Sequence, residues 1–366
     1  MRAGPGQVLA GRYRLTDRPE ALDAFAVDER SGDVVRLRGW ELPAALTGGQ
    51  EPDGEDPVQG ERLVRRVAAV GAAAPRHPRL LQGAGAFVEG ELLWTVEEWP
   101  AGRPLEALLA EGPLPPYRAA EVAADLAAAL RALHDAGLAH GNLTAGSVLV
   151  CEDGAALLGG LLPGVAEEVL AEELGGPGGR RRYEIRAELV GAVAERWPLD
   201  GGPAGDCWAL GVLLHRMATG RAPYPESGVP ELVTAVREGR RVPSEACGPL
   251  GPLVERLVQP DPALRPTAAE VRAELAELLA GAPEPVAGER VAPPPLPEPR
   301  RAAGRRGAAE RGGAAQRRGA AGAGRTEEPG PARPPRIPPA MLGPLLVGGV
   351  FLLLLLGVAA VVLFAG

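Results

Sequence analysis

Reactive side chains are sparse in this chain, and their spacing limits the chemistry available to them. All 39 basic Lys+Arg residues are arginines, so no reaction that requires a lysine ammonium can run here. Cys151, Cys207 and Cys247 are far apart, with no CxxC and no suitably spaced histidine, which argues against a disulfide or a zinc site. Residues 175–179 are glycine-rich but follow an acidic helical stretch rather than a strand, so we predict a loop there and no phosphate-binding turn.

Charge and composition divide the chain into unlike parts. Residues 281–340 hold 11 Arg against 6 acids, whereas the remainder carries a net charge of −13. An acidic globular part argues against nucleic acid as a partner. Residues 281–340 are rich in Pro, Ala, Gly and Arg and have few large apolar side chains, so burial cannot offset their chain entropy. We therefore predict a disordered linker.

A long apolar segment follows this linker. From Leu345 to Ala365 the chain is uncharged and almost wholly apolar, and at about 1.5 Å per residue it reaches roughly 30 Å, the thickness of a bilayer core. We expect a single-pass transmembrane helix over residues 342–365. The basic flank precedes it and no apolar run near Met1 resembles a signal peptide. The positive-inside rule therefore places the N-terminal domain on the cytoplasmic side of the cell membrane.

In the globular part, short strands come first and helices follow. Strands are predicted within residues 11–15, 23–28 and 34–38, a hairpin over 85–96, and helices over 61–74 and 119–133. In the last of these, Val122, Leu126, Leu130 and Leu133 share one face. This order predicts an α+β fold with a small sheet lobe and a larger helical lobe.

Four motifs carry a resemblance to a known family. They are His140-Gly141-Asn142-Leu143-Thr144-Ala145-Gly146-Ser147-Val148-Leu149-Val150, Asp206-Cys207-Trp208-Ala209-Leu210-Gly211, Thr219-Gly220-Arg221-Ala222-Pro223-Tyr224 and Asp261-Pro262-Ala263-Leu264-Arg265-Pro266-Thr267. In order and spacing they resemble H-R-D-L-K-P-x-N-V-L-L, D-x-W-A-L-G, T-G-R-x-P-F and D-P-x-x-R-P-T of bacterial Ser/Thr protein kinases. The resemblance covers residues 9–280. It implies a bilobal protein-kinase-like fold, with an N-lobe over about 9–98 and a C-lobe over about 101–280.

The positions that hold ATP and metal in this family carry other residues here. The resemblance places Arg38 at the phosphate-binding lysine, Asn142 at the catalytic aspartate, Thr144 at the loop lysine, Ser147 at the metal-binding asparagine and Gly160 at the aspartate of D-F-G. An amide is too weak a base to take a proton, and a guanidinium is not an equivalent point charge. Neither Ser147 nor Gly160 offers magnesium a carboxylate. We therefore expect no cofactor and no metal site: magnesium is not expected to bind, and ATP binding, where it occurs, is expected to be impaired.

Other parts of the nucleotide site also depart from the family. Residues 15–27, where the Gly-rich loop belongs, contain no glycine, and residues 64–74 contain no acid to pair with the strand lysine. Glu98 and Pro100 fall in the hinge. The residue at the Pro100 position normally donates its backbone N–H to adenine, and proline has none.

The residues that are retained have structural roles in the family. The resemblance implies that His140 packs in the core and is not a ligand. It also implies that Asp206 caps its helix and accepts backbone N–H groups around His140, and that Glu195 and Arg265 form a buried bidentate pair. Residues 160–195 contain no Ser or Thr, so Ser/Thr phosphorylation cannot switch this segment.

Together these features favour a membrane-anchored cytoplasmic pseudokinase that regulates or scaffolds protein partners and is not an enzyme. Two alternatives stay open. One is a weakly active Ser/Thr protein kinase that transfers phosphate from ATP with little use of metal. The other is a small-ligand sensor that uses the degenerate nucleotide cleft, where Arg38 would meet an anionic ligand.

Overall fold

An antiparallel sheet of six strands forms the N-terminal part of the molecule. The computed structural model describes residues 4–16, 22–43, 59–199 and 201–282. The strand order is β1-β2-β3-β4-β6-β5. The strands are β1 Val8–Leu9, β2 Tyr13–Leu15, β3 Asp23–Asp28, β4 Val34–Glu41, β5 Gly83–Glu89 and β6 Leu92–Glu98.

Alternation along β3 and β4 decides which side chains face the core of this sheet. In β4, Val35 and Leu37 are buried on one face of the strand. The alternate residues Arg36 and Arg38 lie on the opposite face. The buried face packs with Trp94 of β6, and Gly39 allows this because a Cβ there would meet the Trp94 ring at 3.0 Å. The sheet therefore presents two arginines on the side away from its own core.

Helix α1, Gln59–Ala73, packs beside this sheet, and the rest of the described chain is mainly helical. The other helices are α2 Leu105–Glu111, α3 Pro116–Asp135, α4 Leu161–Gly175, α5 Arg180–Val190, α6 Pro203–Thr219, α7 Val229–Glu238, α8 Gly251–Leu257 and α9 Ala268–Ala280. A small antiparallel sheet of β7 Arg103–Pro104, β8 Val148–Val150 and β9 Ala156–Leu158 lies at the start of this part.

The core of the helical part is built on α3 and α6. Helix α3 begins with Pro116 at its first turn, where a missing N–H costs nothing. The predicted apolar face of α3 is fully buried from Val122 to Leu133. Helix α6 approaches α8 closely because Gly211 has no side chain: a Cβ there would lie 2.5 Å from the Cβ of Leu257.

The predicted α+β arrangement, a sheet lobe followed by a larger helical lobe, is confirmed. The strands predicted near residues 23–28, 34–38 and 85–96 are present, with β4 longer than expected. The helices predicted over 61–74 and 119–133 are α1 and α3.

Two predictions fall outside what the structure describes. The linker over 281–340 lies, apart from its first two residues, beyond the described ranges, and the helix over 342–365 lies wholly beyond them. Among the helices that are described, none has the length and hydropathy needed to cross a bilayer.

Candidate functional site

The candidate site is the cleft between the face of β4 that carries the two arginines and the loop that precedes β8. The residues lining it are Arg36, Arg38, Thr95, Glu97, Gly146, Ser147, Gly160 and Pro163. Strand register brings the first four together, because Arg38 lies opposite Thr95 and Arg36 opposite Glu97 on β6. The cavity that remains is about 10 Å³, which is room for about one water molecule.

Arg36 joins the two lobes across this cleft. Its Nε and Nη2 donate to the two carboxylate oxygens of Asp23 at 2.9 and 2.5 Å, and its Nη1 donates to the carbonyl of Gly146 at 2.8 Å. The guanidinium also lies over the Trp99 ring, 4.8 Å from its centroid. Sequence reasoning missed Arg36, although its spacing of two residues from Arg38 on a strand was the available signal.

Arg38 lies in the cleft, as predicted, and shares a carboxylate with Arg36. Its Nη2 is 2.9 Å from Oδ2 of Asp23. Burial alone would raise the pKa of Asp23, but hydrogen bonds from both arginines and their charges outweigh burial and leave that pKa lowered. Two guanidinium groups therefore converge on one carboxylate at the mouth of the cleft, an arrangement that suits a phosphate equally well.

Glu97 is the second residue that sequence reasoning missed. It is 3 % exposed, and its Oε1 accepts the backbone N–H of Gly160 at 2.7 Å. Burial raises the pKa of Glu97 to about 7, because desolvation exceeds the opposing effects of that hydrogen bond and of Arg36 and Arg38. The alternation along β6 places this carboxylate inside the cleft.

Gly160 leaves no room for the carboxylate that the kinase family has at this position. Its φ is +84°, and a Cβ there would lie 2.9 Å from the Cβ of Ser147 and 3.0 Å from Nδ2 of Asn142. Ser147 is also committed elsewhere: its hydroxyl donates to the carbonyl of Thr144 at 2.9 Å and accepts the Thr144 N–H at 3.0 Å. Thr144 caps the short 3-10 turn Ala145–Ser147.

These residues do not fit magnesium. No carboxylate stands at Gly160, and the Ser147 hydroxyl is occupied within its own turn. Within the part of the chain that the structure describes, no group of three or more His, Cys, Asp or Glu side chains is close enough to hold a metal ion.

Asn142 is enclosed on both sides of its amide. Its Nδ2 donates to the carbonyl of Gly160 at 2.8 Å, and its Oδ1 accepts Nη1 of Arg196 at 2.8 Å. The other end of this guanidinium binds Glu167 at 2.6 Å. Asn142 is 3 % exposed, so in this conformation a peptide hydroxyl cannot reach it.

Helix α4 provides this cover. A Cβ on Gly164 would lie 2.7 Å from the Cβ of Asn142, so the helix passes directly over the loop. On its other side Leu162 packs with Leu63 of α1, and Glu173 binds Nη1 of Arg66 on α1 at 2.9 Å. Helix α4 thus packs directly against α1. In the family, α1 carries the glutamate that pairs with the strand lysine, and this chain has neither residue.

His140 and Asp206 hold the loop from below. The backbone N–H groups of His140 and Gly141 donate to the two oxygens of Asp206 at 2.8 and 2.7 Å. His140 is buried, its Nε2 lies 3.0 Å from the carbonyl of Gly159, and burial lowers its pKa to about 4. The expectation that Asp206 caps its helix is wrong: α6 begins at Pro203 with Gly202 at the cap, and Asp206 lies in the first turn.

Glu195 and Arg265 are both buried, but the pairing predicted between them is wrong. Nε and Nη2 of Arg216, on α6, donate to the two oxygens of Glu195 at 2.6 and 3.1 Å. Arg265 donates to the carbonyls of Gln259, Ala204 and Pro260 and lies over the Trp208 ring. An arginine one turn before the end of α6 has taken the place of the expected partner.

The residues predicted to form the hinge, Glu98 and Pro100, lie at and just after the end of β6. The exposed Glu98 ends β6, and its N–H donates to the carbonyl of Gln82 at 3.1 Å. The N–H of Trp99 donates to the carbonyl of Val34 at 3.2 Å, and Pro100 has no donor. To accept a hydrogen bond from the backbone N–H of Glu98 or Trp99, a nucleotide base would therefore have to break the bond that this N–H already makes.

Comparison with known proteins decides the family. A sequence profile described as "Protein tyrosine and serine/threonine kinase" matches residues 54–275, more than half of the chain. This chain belongs to the protein kinase family. The match runs from just before α1 into α9 and confirms the predicted bilobal kinase fold. It includes the loop around Asn142 and helix α4, whereas Arg36 and Arg38 of the cleft precede the matched residues.

Individual kinases are similar to about half of this chain or more. Serine/threonine-protein kinase PkaA of Streptomyces coelicolor is 34% identical over 200 residues, which are 52% of this chain and 35% of that protein. Testis-specific serine/threonine-protein kinase 3 of Mus musculus is 30% identical over 194 residues, 50% of this chain and 67% of that protein. AfsK of Streptomyces coelicolor is 29% identical over 239 residues and matches 28% of its own length. The match thus spans about a third of PkaA and of AfsK.

These comparisons correct the functional prediction. The proteins that this chain resembles are named as Ser/Thr protein kinases, so the expectation of a catalytically inactive regulatory or scaffolding module is wrong. They favour the enzymatic alternative instead. The small-ligand sensor stays a prediction that nothing here tests.

Proposed function

We propose that this protein is a weakly active Ser/Thr protein kinase that transfers the terminal phosphoryl group of ATP to a protein hydroxyl. Support comes from the kinase profile over residues 54–275 and from relatives named as Ser/Thr kinases. The observation that carries the proposal is the convergence of two cleft residues, Arg36 and Arg38, on the single carboxylate of Asp23.

Phosphoryl transfer makes modest demands on covalent chemistry. Its transition state is loose and its charge is spread over the phosphoryl oxygens, so catalysis is mainly positioning and electrostatic stabilisation. Planar guanidinium groups bind phosphate oxygens in a bidentate manner. Arg36 and Arg38 would supply this stabilisation from two adjacent positions on one strand face, with Asp23 as the carboxylate that they release.

The closed cleft limits the rate. A cavity of about 10 Å³ cannot admit a nucleotide, so ATP must separate the lobes and break the hydrogen bond from Arg36 to the carbonyl of Gly146. Helix α4 must also leave Asn142 before a peptide can approach. Because the reactive conformation costs these contacts, the apparent affinity for ATP falls with its population.

Phosphoryl transfer at this site does not require a protein side chain as the base. The acceptor oxygen forms a bond to the terminal phosphorus, the bond from that phosphorus to the bridging oxygen breaks, and ADP leaves. The acceptor proton passes to an oxygen of the transferred phosphoryl group, since the Asn142 amide cannot take it. The lack of a base is a second reason for weak activity.

The test is phosphate transfer from labelled ATP to a generic basic protein substrate by the purified full-length chain. We expect slow transfer that persists when EDTA is added, and a loss of at least about 100-fold in the Arg36→Ala/Arg38→Ala variant, as for other groups that stabilise a transferring phosphoryl. The matched control is Arg14→Ala, because Arg14 is an arginine of the same sheet with an exposed side chain that pairs with Glu29. Absence of transfer by the wild type, with and without magnesium, would contradict the proposal.

We also propose that residues 342–365 anchor the protein in a membrane with the kinase domain in the cytoplasm. The uncharged segment from Leu345 to Ala365 and the basic stretch before it support this. The full-length chain should sediment with membranes, and a chain truncated after residue 340 should stay in the soluble fraction. Recovery of the full-length chain in the soluble fraction, or digestion of the kinase domain by protease added to intact cells, would overturn this arrangement.

A further inference from the structure

A second cavity, of about 460 Å³, lies between the loop around His140 and helices α4 and α5, and it plays no part in the proposed chemistry. It is bounded by the loop residues His140 and Gly141, by Glu168 on α4 and by Arg182 and Arg186 on α5. The cavity is open to solvent along one side and stands beside the position where a phosphate acceptor would lie.

Two arginines in this cavity are arranged around one carboxylate. Arg182 and Arg186 are four residues apart on α5, so their side chains point from the same face of the helix. Nη2 of Arg182 contacts one oxygen of Glu168 and Nη1 of Arg186 contacts the other. The two arginine side chains are 32 % and 15 % exposed, so this pairing is partly buried and still accessible from solvent.

The arginine pair borders the catalytic loop. Nη2 of Arg186 is 4.0 Å from the position that a Cβ on Gly141 would take, and Gly141 precedes Asn142. An extended peptide advances about 3.3 Å per residue. An acidic side chain a few residues from an acceptor Ser or Thr at the Asn142 position would therefore reach Arg182 and Arg186.

We propose that Arg182 and Arg186 form a recognition site for an acidic side chain of the protein substrate, and that Glu168 occupies this site while no substrate is bound. That the acidic segment belongs to a substrate rests on the proposed kinase function, whereas its binding to the two arginines does not. Glu168 lies on the helix that covers Asn142, so its replacement by a substrate carboxylate releases part of the hold on α4. Substrate selection and uncovering of the loop are thereby coupled.

The neighbouring charges are compatible with this role. Arg181 at the start of α5 is exposed and adds positive charge nearby, whereas the charge of its neighbour Arg180 is paired with Glu184. Glu172 is a second acid at this cavity and lies 3.4 Å from Nη2 of Arg182. It also binds Arg66 of α1, so its charge is already shared.

The test is binding of a fluorescent peptide, a serine flanked on each side by two glutamates, to the full-length chain without nucleotide. Glu168→Gln should tighten binding by about ten-fold, because an internal ligand that holds the site nine-tenths of the time imposes a ten-fold penalty. The Arg182→Gln/Arg186→Gln variant should weaken binding by a similar factor. A peptide with glutamines in place of the glutamates should bind weakly and equally to every variant.

The matched control is Glu184→Gln, which removes the same charge from α5 at an exposed residue that pairs with Arg180. The basic residues 281–340 also attract anions, so the result is the difference between variants of one chain, measured at one salt concentration. A change in Glu168→Gln no larger than that in Glu184→Gln would overturn the proposal. The decisive result is the tighter peptide binding expected of Glu168→Gln. The test therefore remains valid even if the Arg182→Gln/Arg186→Gln variant fails to fold.

The two proposals fail in different ways. If peptide binding follows the predicted order but no phosphate is transferred, the kinase function fails and the recognition site stands. If phosphate is transferred with no preference for acidic peptides and with the same rate in the Arg182→Gln/Arg186→Gln variant, the recognition site fails and the kinase function stands.

Discussion

Replacing Arg216 by alanine is expected to lower the free energy of unfolding by about 3–5 kcal/mol. Arg216 donates to both oxygens of Glu195, whose side chain is 2 % exposed, and also binds Glu226 at 2.6 Å. Alanine would leave the Glu195 carboxylate buried without its cation. Burial of an unpaired charge costs far more than an exposed ion pair contributes.

Urea unfolding of the purified chain measures this loss. Arg180→Ala is the control, because the Arg180 side chain is 91 % exposed and pairs with Glu184 on the surface; it should change stability by less than about 1 kcal/mol. In the Glu195→Gln/Arg216→Met variant both charges are gone, and most of the lost stability should return. A midpoint for Arg216→Ala that matches the wild type would mean that this ion pair does not stabilise the helical lobe.

Replacing Glu97 by glutamine is expected to stabilise the protein at pH 8 by about 3 kcal/mol and to leave it almost unchanged at pH 4. The pKa of Glu97 is raised from 4.5 to about 7 by burial in the cleft, and each unit of pKa difference corresponds to about 1.4 kcal/mol. Between these two values the folded state holds a proton that the unfolded state has lost. The stability contributed by Glu97 is therefore complete below pH 4.5 and is lost as the pH rises through 7.

Glutamine removes this cost because it stays neutral while its oxygen can still accept the Gly160 N–H. Unfolding free energies of wild type and Glu97→Gln, measured at intervals from pH 4 to pH 8, should diverge between about pH 4.5 and pH 7 and stay apart above that. Glu98→Gln is the matched control, since Glu98 is the exposed neighbour on β6, and its curve should run parallel to the wild type. Parallel curves for Glu97→Gln as well would show that Glu97 is ionised in the folded protein without cost.

Both predictions depend on contacts that local patterns do not specify. Residue spacing placed Glu195 and Arg265 in the helical lobe, and both are buried there. The pairing of Glu195 with Arg216 arises because the segment Ala194–Arg196 packs against the end of α6. Side-chain partners 21 residues apart are chosen by that packing, which no short-range pattern contains.

The same distinction applies to the cleft. Arg38 was predicted from its motif, whereas Arg36 and Glu97 were not, although all three follow from strand alternation once the register of β4 against β6 is known. Register is a non-local quantity, because it depends on how residues about 60 positions apart align. A shift of one residue would have turned both arginines into the sheet core.

The amino-acid sequence by itself determined the fold class, the order of the strands and helices, and the absence of lysine, of a Gly-rich loop and of carboxylates at the Asn142 and Gly160 positions. These follow from residue type and from periodicity within one element. Only the tertiary structure decided that α4 covers Asn142, that Arg36 closes the cleft and that Glu168 lies between Arg182 and Arg186. Each of these contacts joins separate elements whose relative positions are set by packing of the whole core, and a charged side chain can satisfy its burial with any of several partners until that packing selects one.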